Sequence, residues 1–290
     1  MESIEKRLAE CERPKRMAIS RRFPALLRPA IFIRRLLRSA ANRISLEKLR
    51  TGAPLACVVA RHSSLLYKKL GESDAELQRN KVVNLKRAIE KLDGLIIPPG
   101  KTFSFWDIVG RASCKNGFVD GMLISNGTVT KGVGGGLCQL SNFLFWSFLH
   151  ADVEIVERHH HSMDIFPDSG RTLPFGSGAT VFDNYLDLQA KNVSSHPLQI
   201  RLWLTEDSLK GQLLSDAPAE KKFHISERNH CFIRKGDRFF RYNELFRETY
   251  KDGIKLDEKQ IIVNFAPVTY TVTEAYLKGL DYRLITYDSF

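Results

Sequence analysis

The sequence predicts an α+β protein with a mainly antiparallel sheet and a buried central helix that begins near Cys138. Short apolar runs such as 153–157 follow the alternation of strands and are bounded by turn residues. A glycine-rich stretch at 132–136 leads into apolar residues at helical spacing over 138–150, the pattern of a buried helix. Of the 290 residues, 43% are hydrophobic and 27% are charged. This composition is typical of a folded protein and excludes collagen-like, disordered and polytopic membrane chains.

The first element is a basic, amphipathic N-terminal segment over 1–50. It holds 14 Lys or Arg against 5 Asp or Glu, so it carries +9 of the formal net charge of +11. No acidic residue lies within 13–46, and a helix over 31–44 would place arginines beside apolar side chains. We expect residues 13–43 either to contact an anionic membrane surface or to pack their apolar face on the protein. The nearly neutral remainder argues against a nucleic-acid partner.

The lack of a secretion signal and the cysteine usage predict a cytoplasmic protein. Membrane contact through residues 13–43 would place it at the inner face of the membrane. The N-terminus lacks the uninterrupted apolar core of a secretion signal, and no stretch reaches the roughly 20 apolar residues that cross a bilayer. The cysteines form no C-x-x-C pair, and their odd number favours reduced thiols. They are Cys11, Cys57, Cys114, Cys138 and Cys231.

The rest of the chain is expected to form an α+β domain over 51–215 and a β-rich C-terminal extension over 216–290 that packs on it. Ser73 and Glu76 have the spacing of a capping box, which satisfies the unpaired amides at a helix start. The apolar residues that follow describe an amphipathic helix ending at Gly94.

Three further stretches carry local secondary-structure signals. The aromatic run 102–106 follows a proline-glycine turn and is expected to be extended. The runs 179–192 and 197–204 predict a β-hairpin around the polar residues between them. Within the C-terminal extension, the stretch near 243–250 predicts a helix among short strand-like runs.

Cys138 is the candidate nucleophile of the sequence. A thiol at the first residue of a helix lies at the positive end of the helix dipole, which lowers its pKa. The preceding Gly134, Gly135 and Gly136 would allow close approach of a substrate, and their amides would stabilise an oxyanion, with Gln139 as a further donor. The alternatives are that Cys138 is a small buried residue and that the glycine run is a flexible turn.

A histidine run about twenty residues after the cysteine supplies candidate bases. Strand alternation would place His159 and His161 on one face, and His161 is the expected base. Asp187 is the expected carboxylate that orients this imidazole, with Asp164 and Asp183 as alternatives. Zinc ligation by Cys138, His159 and His161 is a further alternative, but the spacing matches no familiar zinc signature. No cofactor or metal ion is therefore expected.

The stretch 134–141, which reads Gly-Gly-Gly-Leu-Cys-Gln-Leu-Ser, resembles the hallmark motif of the VanW family. The resemblance extends over roughly 20–215. It includes Asn84-Leu85, the run 102–106, the run 142–146, Glu157-Arg158, His161-Ser162, the run 179–181 and Asp187-Leu188 through Asn192. Many family members have Asp before Ala-Thr-Val, whereas this chain has Gly178 there.

The resemblance implies a link to cell-wall metabolism or glycopeptide resistance. The family pattern carries over to Cys138, Gln139, Ser141, His161, Asp187 and Asn192. We group Ser141 with Gln139 and the glycine amides as expected substrate-binding residues. The leading hypothesis is a cysteine-dependent acyl-transfer or amidase-type enzyme acting on a cell-wall precursor or peptide. The alternative is a non-catalytic protein at the cytoplasmic membrane surface that binds a peptide or muropeptide.

Overall fold

A computed structural model describes residues 2–12, 29, 33, 49–67, 75–125, 128–161, 163–165, 167, 173–183, 185–280 and 282–287. The chain divides into two compact units, 1–41 and 42–290. The first contains helix α1 (Glu2–Glu12), on which Ile4 and Leu8 are buried. Apart from positions 29 and 33, the predicted membrane-contacting residues 13–43 lie outside the described residues, as does Ser73 of the capping box. Of the helices in the described part, none has the length and apolar character needed to cross a membrane.

The second unit contains four helices and thirteen strands among its described residues. The helices are α2 (Ala75–Leu92), α3 (Phe105–Val109), α4 (Cys138–Leu149) and α5 (Glu274–Leu280). The strands are β1 (Cys57–Leu65), β2 (Ile96–Ile97), β3 (Thr102–Ser104), β4 (Asp120–Ser125), β5 (Thr128–Val133), β6 (Val153–Glu157), β7 (Gln189–Asn192), β8 (Leu198–Leu204), β9 (Ser208–Ser215), β10 (Lys222–Lys235), β11 (Arg238–Lys251), β12 (Ile254–Pro267) and β13 (Arg283–Tyr287). A 3₁₀ turn occupies Cys114–Asn116.

These strands form four sheets, which confirms the predicted α+β class with mainly antiparallel pairing. The strand orders are β1-β9-β8-β2, β3-β7-β6, β4-β5 and β12-β11-β10-β13. We call the last of these the C-terminal sheet. Neighbouring strands are antiparallel throughout except for β10 and β13, which run parallel.

Helix α4 is buried on most of its surface and begins at Cys138, as predicted. Its large apolar side chains, including Phe143, Phe145 and Phe148, belong to one continuous apolar core with residues of α2, β8 and β9. Each fully buried side chain of this size contributes about 1.5–3 kcal/mol to the free energy of unfolding. The helix is therefore held by its surroundings, and its first residue is fixed in place.

The C-terminal sheet shares that core. Ile225, Leu245 and Ile262, from three of its strands, lie in the same apolar cluster as α4. Arg247 of β11 also donates to the carbonyls of Ala151 and Val153, just beyond the end of α4. Residues 216–287 therefore pack on the domain that precedes them, within a single compact unit.

Three local predictions are wrong, two because strand pairing decides the structure and one because a helix is capped within the run. The expected hairpin does not form: β7 pairs with β3 and β6, whereas β8 pairs with β2 and β9 of another sheet. The expected helix near 243–250 is part of β11, which is paired along both edges. The run 102–106 is extended only to Ser104, whose hydroxyl accepts from the Asp107 amide and caps α3.

Candidate functional site

The glycine loop before α4 (residues 134–136) is held by a buried asparagine of α2. The Asn84 side-chain amide donates to the carbonyls of Gly135 (2.9 Å) and Val119 (3.0 Å), and its oxygen accepts from the Val119 amide (2.9 Å). Gly135 lies against the backbone of Gly121, where a Cβ atom would overlap the main chain. The loop therefore depends on glycine because two backbone segments approach each other directly.

Two of the three predicted oxyanion donors are already used in this loop. The Gly134 amide donates to the Val119 carbonyl at 3.0 Å, and the Gly135 amide donates to the Gly132 carbonyl at 3.1 Å. Gly136 has a φ of +92° and packs against the Lys81 side chain. The loop thus turns the chain into α4, and its first two amides are not available to an oxyanion in this conformation.

The Cys138 thiol faces a backbone carbonyl. Its Sγ lies 3.5 Å from the Val181 carbonyl oxygen, to which the thiol donates. Burial raises the pKa of Cys138, whereas the sequence predicts a lowered pKa at the helix start. The reason is that removal of water disfavours the thiolate, and this outweighs the hydrogen bonds to the backbone of Val181 and of Cys138 itself, which lower the pKa. The thiol is therefore protonated at neutral pH in this conformation.

Residues 176–181 form an irregular segment over the start of α4, which we call the strap. The Ser141 hydroxyl donates to the Ala179 carbonyl at 2.6 Å, and the Asn142 oxygen accepts from the Ala179 amide at 2.7 Å. Together with Cys138, the first two turns of α4 thus contact the strap at three points. Ser141 is fully buried, so this structure gives it a bond to the strap, and its expected role in substrate binding stays a prediction.

Arg158 holds the strap from another element. Its Nε donates to the Gly178 carbonyl at 2.9 Å, a second guanidinium nitrogen donates to Gly176, and the group lies 5.0 Å from the centre of the Phe145 ring. Burial lowers the pKa of Arg158 to about 10, which leaves it charged at neutral pH. A Cβ atom at Gly178 would lie 2.6 Å from the Asn142 side-chain oxygen. Asn142 therefore occupies the space that a larger residue at 178 would need.

Asp187 is committed to backbone and side-chain donors near the start of α3. Its carboxylate accepts from the Ser104 hydroxyl (2.6 Å), the Gln189 amide group (3.1 Å) and the backbone amides of Leu188 (2.9 Å) and Trp106 (3.2 Å). Burial raises the pKa of Asp187 and outweighs these hydrogen bonds, which lower it. These four donors bind the carboxylate to the surrounding chain, which is a structural role for Asp187.

Near the strap, the structure pairs the Glu157 carboxylate with the His159 imidazole. Glu157 Oε1 lies 3.0 Å from His159 Nε2 and also accepts from the Asp187 amide at 3.3 Å. The His159 side chain is 39% exposed and that of Glu157 is 13% exposed. The backbone carbonyl of His159 accepts from the Thr180 amide of the strap at 2.7 Å. The backbone of His159 therefore bonds to the strap at Thr180, the residue next to Val181, which contacts Cys138.

The predicted triad of Cys138, His161 and Asp187 is not assembled among the described residues. The hydrogen-bond partner of the thiol is the Val181 carbonyl, and no histidine is among the donors to Asp187. His161 lies beyond the end of β6 in an irregular segment and is partly buried. The alternative acid Asp183 lies 3.8 Å from Arg111. In the part of the chain that is described, no three His, Cys, Asp or Glu residues are grouped to hold a metal ion.

Two other predicted residues have structural contacts. The Gln139 side chain donates to the Leu65 carbonyl at 2.7 Å, and so joins α4 to the end of β1. The Asn192 side chain is buried and donates to the carbonyls of Ile97 (2.9 Å) and His196 (2.8 Å). It thereby fixes the crossing from β7 to β8.

Sequence reasoning did not single out Asn84, Asn142, Arg158 or Glu157 as site residues. All four lie in the stretches that carry the family resemblance. Their roles depend on which backbone groups come within reach of their side chains, and this is a property of the fold. A polar residue on an otherwise apolar helix face, such as Asn84 on α2, is the one local signal that could have indicated a buried partner.

Comparison with known proteins places this arrangement in a family. A family model described as "VanW like protein" matches residues 80–214. The vancomycin B-type resistance protein VanW of Enterococcus faecalis is 32% identical over 212 residues, which cover 72% of this chain and 77% of that protein. The chain belongs to the VanW family. The residues that the family model matches include the glycine loop, Cys138, the strap and the Glu157–His159 pair. The C-terminal sheet lies outside the residues that this model matches.

A second relative is more distant in coverage. The uncharacterized protein YoaR of Bacillus subtilis is 31% identical over 118 residues, which cover 41% of this chain and 37% of that protein. No solved structure matches the chain. The name of the Enterococcus faecalis relative links the VanW family to vancomycin resistance.

Proposed function

We propose that this VanW-family protein acts in glycopeptide resistance by a cysteine-dependent acyl transfer or amide cleavage on the peptide of a cell-wall precursor. The link to resistance is supported by the name of its relative in Enterococcus faecalis. The chemistry is supported by one observation: the Cys138 thiol and the backbone of His159, whose imidazole is bound by Glu157, contact adjacent residues of the strap. Cys138 contacts Val181, and the His159 carbonyl contacts Thr180.

In this proposal, His159 replaces His161 as the base and Glu157 replaces Asp187 as its orienting group. When His159 Nε2 carries the proton shared with Glu157, Nδ1 is the accepting nitrogen. A base is required because the resting thiol is protonated. The amides of the first turn of α4 add the positive end of the helix dipole, where negative charge develops.

The reaction begins when the Val181 carbonyl moves off the thiol. His159 takes the thiol proton, and the sulfur of Cys138 forms a bond to the carbonyl carbon of the substrate peptide. The carbon–nitrogen bond then breaks, and the departing amine takes the proton from the imidazole. Water or a second amine attacks the thioester and releases the acyl group from sulfur.

The test is turnover of a muramyl pentapeptide nucleotide by the purified full-length protein, followed by mass spectrometry. We expect Cys138→Ala to abolish the product and His159→Gln to reduce it by 10²–10⁴-fold, the usual contribution of a general base. Cys114→Ala is the matched control, because Cys114 is exposed and outside the site. Unchanged product formation by Cys138→Ala would exclude the proposed chemistry.

The second candidate function is peptide or muropeptide binding without chemistry. It is favoured by the protonated thiol and by the amides of Gly134 and Gly135, which are already bonded. In this case the pentapeptide binds equally to wild type and Cys138→Ala in calorimetry, and no product forms. The cytoplasmic, membrane-peripheral location belongs to this proposal. Deletion of residues 1–45 is then expected to abolish co-sedimentation with anionic liposomes, while neutral liposomes serve as the control.

A further inference from the structure

The residue immediately before the strap is bound by two asparagines of the C-terminal sheet. The Phe175 carbonyl accepts from the side-chain amides of Asn243 at 2.8 Å and Asn264 at 2.9 Å. Asn243 of β11 and Asn264 of β12 are directly opposite each other in the strand register, and both are buried. Asn264 also donates to the Asn243 oxygen at 2.7 Å. We call Asn243 and Asn264 the strap clamp.

The strap clamp is itself held by a buried polar network. Asn243 donates to Glu227, and Glu227 lies 2.9 Å from His230 Nδ1. Burial opposes the ionisation of Glu227, but hydrogen bonds from His230 and Asn243 outweigh it and hold the pKa of Glu227 below its usual range. His230 in turn accepts from Arg241 at 2.7 Å. The donors of the clamp are thus oriented by side chains of the same sheet.

The same network binds a second point of the chain, eleven residues before Phe175. Arg241 is fully buried and lies 3.2 Å from Asp164, whose carboxylate also accepts from the Tyr270 hydroxyl at 3.0 Å. The Asp164 amide donates to the Pro267 carbonyl at the end of β12. The C-terminal sheet therefore holds the chain at both Asp164 and Phe175.

No space separates the strap from its clamp. Gly176, the first residue of the strap, has a φ of +72°, and a Cβ atom there would overlap the Asn264 side chain. Arg158 donates to the Gly176 carbonyl. The first residue of the strap therefore packs on Asn264 and is bonded to Arg158, and five residues later the strap reaches the Cys138 thiol.

We propose that Asn243 and Asn264 are positioning residues that hold the strap over Cys138, so that the C-terminal sheet controls access to this thiol. The importance of that access for catalysis rests on the proposed function, but the control itself is measured without turnover. The C-terminal sheet lies outside the residues that the family model matches. This control is accordingly a property that the family match does not describe.

The test is iodoacetamide alkylation of full-length Asn264→Ala, with each cysteine quantified by peptide mass spectrometry. We expect Cys138 to react at least tenfold faster than in wild type. Cys231 is the internal reference, because it is 3% exposed and lies in the same sheet as the clamp. Its rate is expected to stay unchanged. An unchanged Cys138 rate would overturn the proposal, and so would a parallel rise of Cys231, which reports general opening of the sheet.

Gly176→Ala provides a second route to the same result. Its added Cβ displaces the strap from Asn264 without removing any hydrogen-bonding group, and Cys138 alkylation is again expected to accelerate. In the double variant with Asn264→Ala the overlap is relieved, so the rate increase of the double variant should be smaller than the product of the two single increases. Full multiplicativity would contradict direct contact between strap and clamp. Arg228→Gln is the matched control, because it breaks an exposed ion pair of the same sheet.

The pH dependence of alkylation separates positioning from a structural effect. Burial raises the pKa of Cys138 in wild type. Release of the strap should admit water to the thiol, so the apparent pKa is expected to fall towards the usual value of about 8.5 when the clamp is removed. A faster reaction with an unchanged pKa would contradict release of the strap. If Cys138→Ala retains turnover while these shifts are observed, the proposed chemistry fails and the control of access stands.

Discussion

The family-matched region and the C-terminal sheet bury polar side chains in different ways. In the matched region, Asn84, Ser141 and Asn142 are neutral and bond mainly to backbone groups. In the C-terminal sheet, Arg241 is buried within a network of side chains and forms an ion pair with Asp164, a buried residue of the matched region. Neutral side-chain bonds fix the path of one backbone segment, whereas a charged network makes several elements depend on one another. The first arrangement shapes the candidate site, and the second controls what covers it.

This difference predicts that the C-terminal sheet is the more sensitive of the two to the loss of one side chain. We expect Arg241→Met to lower the free energy of unfolding by about 3–5 kcal/mol, because it leaves the Asp164 carboxylate buried without its cation. Urea denaturation measures the effect. The control is Arg228→Gln on the same sheet, where the side chain is 43% exposed and the expected loss is much smaller because water screens the ion pair. Equal losses for the two variants would remove the distinction between buried and exposed pairs.

In the matched region, the largest expected effect of a polar change is at Asn84. Asn84→Ala leaves the buried carbonyls of Gly135 and Val119 without this donor, so we expect a loss of about 2–3 kcal/mol in the same denaturation experiment. Asn116→Ala is the matched control, since Asn116 also donates to a carbonyl but is exposed. Its expected loss is within about 0.5 kcal/mol. A larger loss at Asn84 than at Arg241 would reverse the order of the two regions.

The smallest predicted effect concerns pH and a histidine packed on α4. The His62 ring lies 4.9 Å from the Phe143 ring, and burial, with a smaller contribution from His150, lowers the pKa of His62 to about 4. The unfolded state therefore binds more protons between pH 6.5 and 4, and stability falls as the pH decreases through this range. We expect His62 to account for a loss of about 2 kcal/mol, after allowance for its partial exposure. Above pH 6.5 it makes no difference.

Urea denaturation at pH 7 and pH 4.5 measures this loss of stability in wild type and in His62→Gln. The variant lacks the titrating group, so its stability is expected to change less between the two pH values. The same pH dependence in both proteins would assign the acid sensitivity to other groups, such as His150, whose pKa is also lowered by burial. The comparison of the two proteins therefore shows how much of the acid sensitivity is due to His62.

Local sequence patterns were sufficient for elements whose neighbours in the chain determine them. The glycine run and the apolar spacing after it predict a helix that begins at Cys138, and α4 begins there. The alternation of 153–157 predicts a strand, and β6 spans the same residues. The mainly antiparallel α+β class follows from the same patterns. In each case the periodicity of buried side chains records which face of an element packs inward.

The candidate site was predicted only in part: several of its residues were identified, but the contacts that they make in the structure differ from the predicted ones. The sequence indicated the glycine loop, Cys138 and the histidine run, and the structure places Cys138 and the backbone of His159 in contact with residues 176–181. It did not indicate that Glu157 would pair with His159 or that four other groups would bind Asp187. Hydrogen bonds select among equivalent residue types by distance and angle, and sequence order contains neither.

What the sequence determined by itself is the family, the fold class, the start of α4 and the concentration of charge in residues 1–50. The tertiary structure alone decided that 243–250 is a strand, that the strap contacts the Cys138 thiol and that the C-terminal sheet binds Phe175 next to the strap. It also decided the direction of the Cys138 pKa, since burial raises this pKa although the position at the helix start predicts a lowered value. The physical reason is common to all of these: pairing, covering and loss of water depend on residues far apart in the chain.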